Sequence, residues 1–281
     1  GTSIEAMAVS LSALGADAVG INCSLGPAEI GTLAKKLLDR LPVLAAVKPN
    51  AGLPNPESGA YSVGPEEFAV HMKEIAASGV KFLGGCCGTT PRHIRAMIER
   101  CRSLSPLPLP THRRTVVSSY ARAVSFGSEP VIIGERINPT GKSRFKQALR
   151  ENDLDYILRE GIAQQQAGAH ILDVNVGLPE IDEPAMMARA VTGLQSILDL
   201  PLQLDTSDPV TMEKAMRLYN GKPLVNSVNG KQECMEQIFP LIKRYGGAVI
   251  ALTLDEGGIP DTAEGRYRIA CKIVETAARY G

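Results

Sequence analysis

The chain has 281 residues, with 30 basic and 30 acidic side chains and a formal charge of zero. No stretch concentrates charge of one sign, so the basic face expected of a nucleic-acid binder is absent. No apolar run reaches the roughly 18 residues of a membrane-spanning helix, and six unevenly spaced cysteines fit a reducing compartment better than a disulfide framework. We therefore expect a cytoplasmic protein with neither nucleic acid nor membrane among its partners. The sequence starts at Gly1 without methionine and stops at Tyr280-Gly281, in a helical pattern where a strand would be expected next, as in a fragment.

In chain order, apolar Ala16–Ile21 ends at Asn22-Cys23 and gives way to a helical pattern from about Pro27 to Asp39. The strand-like run Pro42–Val47 enters a loop rich in Pro and Gly, after which Pro65 opens a helix that stops near Gly79. Val80–Leu83 then leads into Gly84-Gly85-Cys86-Cys87-Gly88-Thr89-Thr90-Pro91, where Thr90-Pro91 has the pattern of an N-cap and a first-turn proline. Near-continuous apolar strands alternating with helices imply a parallel sheet covered on both faces.

Residues 103 to 130 break this rhythm. Leu104 to Pro110 holds three prolines in seven residues, and Arg113 to Val117 is extended without a partner helix, which reads as a linker. From Val131 the alternation resumes with strands at 131–134, 169–172, 201–204, 223–225 and 248–252. Each ends in a polar cluster: Glu135-Arg136-Ile137-Asn138, Asp173-Val174-Asn175, Asp205-Thr206-Ser207, Asn226-Ser227-Val228-Asn229 and Thr253-Leu254-Asp255-Glu256. Asp208-Pro209 again matches a cap and first-turn proline.

Strand ends are where α/β barrels keep their chemistry. Adjacent cysteines rarely bond to one another, since neighbouring residues reach disulfide geometry only with strain. Cys86 and Cys87 with Cys23 therefore point to a soft metal, zinc by default, held by three thiolates with one position open. A lone cysteine is ordinarily a small buried hydrophobe, and Cys101, Cys234 and Cys271, in helical patterns, are read that way. The five polar clusters imply a cup of carboxylates and carboxamides suited to a flat, nitrogen-rich heterocycle.

The first segment resembles the zinc-dependent homocysteine methyltransferase family in Gly20-Ile21-Asn22-Cys23-Ser24-Leu25-Gly26-Pro27, in the Cys-Cys motif, and in Pro49-Asn50-Ala51-Gly52-Leu53-Pro54. From about Pro130 the chain is similar to the pterin-binding barrels of methyltetrahydrofolate methyltransferases and dihydropteroate synthase, through Gly134–Gly141, Asp173-Val174-Asn175, Leu204–Ser207 and Asn226-Ser227. That order of modules resembles the cobalamin-dependent methionine synthase family. The resemblance implies an α/β fold of two incomplete (β/α)8 barrels: residues 1–104 as the carboxyl-terminal part of a homocysteine barrel, 105–130 as linker, and 131–281 as the amino-terminal part of a pterin barrel. It implies zinc on Cys23, Cys86 and Cys87, homocysteine near Asn22 and Asn50, and methyltetrahydrofolate near Glu135, Asn138, Asp173, Asp205 and Asn226. It also implies methylcobalamin carried by a cobalamin-binding domain or corrinoid protein outside this sequence, so that this chain alone is not expected to turn over. Two alternatives stay open: another pterin- or corrinoid-dependent methyltransferase, and a non-catalytic zinc-binding fragment.

Overall fold

A computed structural model describes residues 1–109, 111, 114–127 and 129–281. They form two compact units, residues 15–113 and residues 1–14 with 114–281. This division departs from the expected boundaries at both ends of the first segment. Helix α1 (Ile4–Ala13) belongs with the later unit, where Ser3 N–H donates to Ala121 O and the Ser10 and Ser118 hydroxyls lie 3.0 Å apart. Its buried residues are Ala6, Ala8 and Val9, small enough to let the helix approach a neighbour closely.

In the unit of residues 15–113, β1 (Ala18–Asn22), β2 (Leu44–Lys48) and β3 (Phe82–Leu83) form a parallel sheet in that order. Each strand is followed by a helix: α2 (Pro27–Leu38), α3 (Pro65–Ala77) and α4 (Pro91–Cys101). All three begin with proline, whose fixed φ suits the first turn and whose missing N–H would have had no partner there. Thr90 caps α4 as expected, and His93 completes the box by accepting Thr90 N–H at Nδ1, 3.2 Å away. Val19, Ala45 and Val47 on the strands are buried, as are Ile30, Leu37, Phe68 and Met72 on the helices. Fully burying one such side chain contributes about 1.5–3 kcal/mol.

After α1 the larger unit continues with an antiparallel hairpin, β4 (Val116–Ser118) and β5 (Ala123–Ser125), inside the stretch expected to be linker. Pro110 and Arg113 of that stretch lie outside the described residues. There follow β6 (Ile133–Ile137), α5 (Ser143–Glu151), α6 (Leu154–Gln166), β7 (Ile171–Val174), α7 (Glu183–Ile197), β8 (Leu202–Asp205) and α8 (Pro209–Leu218). The chain continues through β9 (Leu224–Asn229), α9 (Gln232–Tyr245), β10 (Ala248–Leu252) and α10 (Ala263–Tyr280). Strands β6 to β10 lie side by side in sequence order, all parallel, with β6 and β10 at the edges. Both sheets are parallel α/β layers, and among the described residues neither closes into a barrel.

Strands β6, β7, β8 and β9 run further than expected, into the polar clusters themselves, so that Glu135, Asp173, Asp205 and Asn226 are strand residues. Alternation along each strand then sorts the side chains by face. Leu172, Val174, Leu202, Leu204, Val225 and Val228 face the helices and join the main core. Ile171 and Leu224 face the other way and pack with Val117, Val124, Phe126 and Ile133, so the hairpin covers the foot of that face. Two residues further on, the same face carries Asp173 and Asn226. No described helix is long and apolar enough to cross a membrane.

Candidate functional site

Three turns bring the thiols of the smaller unit together. Cys23 follows β1 directly, its N–H held by Lys48 O at 2.9 Å. Both Cys23 and Ser24 adopt φ 67°, a left-handed conformation that costs a residue with a side chain about 1–3 kcal/mol. Cys86 N–H donates to Pro49 O at 2.8 Å, and Asn50 Oδ1 accepts Cys87 N–H at 3.1 Å. Asn50 is 5% exposed, so the loop after β2 acts as a buried brace for the Cys86-Cys87 turn. The ring of Tyr61, from the far end of that loop, lies flat against Gly88, which has φ 77°.

Cys23 Sγ is 3.7 Å from Cys87 Sγ, Cys87 Sγ is 3.9 Å from Cys86 Sγ, and all three sulfurs lie within 4.8 Å of one another. Tetrahedral zinc with Zn–S bonds of about 2.3 Å separates its sulfurs by about 3.8 Å. The donor set therefore fits a three-thiolate ion with one coordination position left over. Cys23 is held below the usual thiol range by the backbone N–H of Ser24 and by the neighbouring Cys87 and Cys86. Cys87 is pushed up by its contacts with Cys23 and Cys86, as expected when the first proton leaves a crowded trio. All six cysteines are free, and Cys101, Cys234 and Cys271 lie half-buried in α4, α9 and α10.

The larger unit builds the polar cup in tiers. Asp173 pairs in register with Gln203, and Asp205 with Asn226, so Asp173 and Gln203 lie one pleat nearer the amino ends of the strands. In the upper tier Asn175 Nδ2 donates to Asp205 Oδ2 at 2.9 Å, while Asn175 Oδ1 accepts Gly177 N–H. Thr206, next along the chain, donates to Glu183 at 2.5 Å and takes Asp208 N–H. Asn138 is buried, accepts Thr140 N–H and donates to Glu135 at 3.4 Å. Beside the cup a hollow of ≈ 350 Å³ is lined by Asp205, Thr206, Asn226, Asn229 and Lys231, among others.

Burial pushes Asp173 up to about 6; the hydrogen bond from Gln203 works against this, and the Asp205 and Glu135 carboxylates add to it. Burial also raises Asp205, opposed by the bond from Asn175 and reinforced by Glu135.

Residues 134–280 match the family model of pterin binding enzymes. The chain belongs to the pterin-binding enzyme family. In this pterin-binding chain, residues 1–101 separately match the model of homocysteine S-methyltransferases. Over 98% of its length it is 32% identical to methionine synthase of Mycobacterium leprae (strain TN) and 31% identical to that of Mycobacterium tuberculosis (strain ATCC 25618 / H37Rv). It spans 24% of the length of each of these curated relatives. Among solved structures, the carboxyl transferase domain of Rhizobium etli pyruvate carboxylase is 15% identical, with a TM-score of 0.32, covering 89% of this chain and 37% of that one.

Of the residues expected from sequence near a pterin, Asp205, Asn226 and Asp173 share one face of the larger unit's sheet, with Glu135 and Asn138 at its β6 edge. Asp173, however, is only 1% exposed and sits below the tier of Asp205. On the thiol side Asn22 is exposed at the end of β1, whereas the Asn50 oxygen is taken by Cys87. Sequence reasoning missed Gln203 and Glu183, and it named Thr206 only as part of the cluster after β8, with no role of its own. Gln203 alone had left a signal, a buried amide in an otherwise apolar strand between Leu202 and Leu204.

Proposed function

We propose that this chain is a piece of a methionine synthase-type methyltransferase, in which a methyl group passes from 5-methyltetrahydrofolate through a cobalamin to zinc-activated homocysteine. The observation that carries the reading is the spacing of the Cys23, Cys86 and Cys87 sulfurs in a chain that also bears a pterin-binding unit. On this reading β1–β3 are the late strands of one (β/α)8 barrel and β6–β10 the early strands of another.

Cys23, Cys86 and Cys87 would hold zinc. Bound there, the ion supplies Lewis acidity that lets an incoming thiol lose its proton near neutral pH, where a free thiol with pKa of about 8.5 is mostly protonated. Asn50 fixes the Cys86-Cys87 turn, and the exposed Asn22 lies where homocysteine enters. Three thiolates leave the site about one negative charge, so the substrate sulfur stays electron-rich and nucleophilic.

At the cup, Asp205 and Asn226 accept and donate to the edge of the pteridine, with Glu135 and Asn138 at its flank and Asp173 below. One oxygen of Asp205 is committed to Asn175, which leaves the other for an N–H of the ligand. The corrinoid, the methyl acceptor at this site, comes with a partner module.

Metal analysis and folate titration test the two halves separately. The expected result is about one zinc per chain, lost in a Cys86→Ser, Cys87→Ser variant, together with binding of methyltetrahydrofolate that Asp205→Ala weakens. Absence of zinc from folded, reduced protein would sink the homocysteine half. Absence of folate binding would sink the pterin half.

A further inference from the structure

Among the described residues, two buried atoms on the lower tier of the cup have no hydrogen-bond partner, and they belong to one pair. They are Asp173 Oδ2 and Gln203 Oε1. The side chains are 1% and 5% exposed and stand opposite each other on β7 and β8, with Gln203 Nε2 donating to Asp173 Oδ1. Each orphaned acceptor costs about 1–3 kcal/mol in such surroundings. Rotating the Gln203 amide does not help, because it sets oxygen against oxygen. An ionised carboxylate can only accept, whereas a carboxylic acid carries one O–H donor. A proton on Asp173 supplies a donor where the pair otherwise has only acceptors left over.

We propose that Asp173 is a stored carboxylic acid, its Oδ2–H donating to Gln203 Oε1 while Gln203 Nε2 donates to Asp173 Oδ1. The two antiparallel bonds close a ring between neighbouring strands. The groups that face this pair are Glu135 from β6, Asp205 from β8 and Asn226 from β9. Asn226 approaches the same carboxyl and favours its charged form, without a hydrogen bond of ordinary geometry. Burial and the carboxylates of Asp205 and Glu135 favour the neutral form. Three acids crowd one cup, and like charges at short range do not all ionise together. Placing the proton on the deepest carboxyl leaves Asp205 charged where the cup opens, which is the division of labour expected when environment drives two carboxyls apart. Asp173 and Gln203 are thus positioning residues: their paired atoms are sealed from the ligand, and they set the charge and orientation of the residues that meet it.

The pairing stands independently of the pterin reading, while its service to Asp205 rests on that reading. The test is infrared spectroscopy of the full chain at a pH of about 6, above the ordinary carboxyl range. We expect a protonated-carboxyl carbonyl band that fades as pH rises, vanishes in Asp173→Asn, and moves to higher frequency in Gln203→Leu, where the carbonyl loses its donor. Asp173→Asn places an N–H where the O–H would be, so it also reports whether the fold tolerates a permanent donor there. Its melting temperature should lack the fall with rising pH that we expect of the wild type. A folded wild-type protein without the band, or a band that Gln203→Leu leaves unmoved, overturns the proposal. If the band behaves as expected but no folate binds, the stored proton stands and the pterin reading alone fails.

Discussion

Cys23 Sγ lies 3.7 Å from Cys87 Sγ although 64 positions separate them in the chain. Parallel pairing of β1 with β2, and of β2 with β3, closes that distance by aligning the carboxyl ends of the strands. Replacing any one of the three thiols with serine should reduce zinc from about one per chain to near zero, because two thiolates and water do not make a tight site. Metal analysis after dialysis under reducing conditions checks this. Retention of stoichiometric zinc by Cys23→Ser would remove that residue from the ligand set.

Gly88→Ala should disable the same site without touching a ligand. A Cβ on Gly88 would sit 2.1 Å from the Tyr61 ring, and φ 77° is already unfavourable for any residue with a side chain. We expect a loss of about 1–3 kcal/mol in stability and release of zinc. Thermal melts with and without a chelator would show it, and a wild-type melt would argue that the turn adapts freely.

Stability should fall as pH rises through the Asp173 ionisation. Its folded-state pKa, about 6, lies above the ordinary value of 3.8, so its contribution is complete below about pH 4 and lost as pH climbs past 6. A separation of about two pH units corresponds to roughly 3 kcal/mol at full effect. Urea unfolding of wild type and Asp173→Asn between about pH 4 and 7 isolates this group, since the other carboxyls are common to both. Parallel pH profiles for the two proteins would contradict the assignment.

Asn175→Ala should weaken binding of methyltetrahydrofolate about tenfold, the loss of one charge-assisted hydrogen bond that holds Asp205. Asp205 should also become harder to ionise, because the bond from Asn175 opposes the effect of burial. The weakening is therefore expected to grow as pH falls. Fluorescence titration at two pH values reads both effects, and equal affinity in the variant would show that Asp205 needs no orienting partner.

Strands, caps and motifs were legible locally. Asp208 was expected as an N-cap and does accept from Val210 and Thr211 N–H groups, and Thr90 caps α4 together with His93. The strand ends were placed too early on β6 to β9, because polar residues were taken to stop a strand. In this sheet they continue it, alternating with Val174, Leu204 and Val225, which face the helices. The hairpin of β4 and β5 escaped notice because its strands are short and draw their stability from covering Ile171 and Leu224.

The sequence by itself determined the chemistry available: three thiols in strand-end turns, five polar clusters at the same ends of five strands, and the alternation of strand and helix that requires parallel sheets. These follow from residue type and near-neighbour geometry, which a linear chain carries in full. Only the tertiary structure decided that α1 joins the later unit, that Asn50 braces a turn 37 residues away, and that Asp173 meets Gln203 30 residues on. Register between strands and the depth of a side chain are set by packing across the whole sheet. An aspartate one pleat higher, Asp205, is partly exposed in the cup, while one pleat lower, Asp173, is buried.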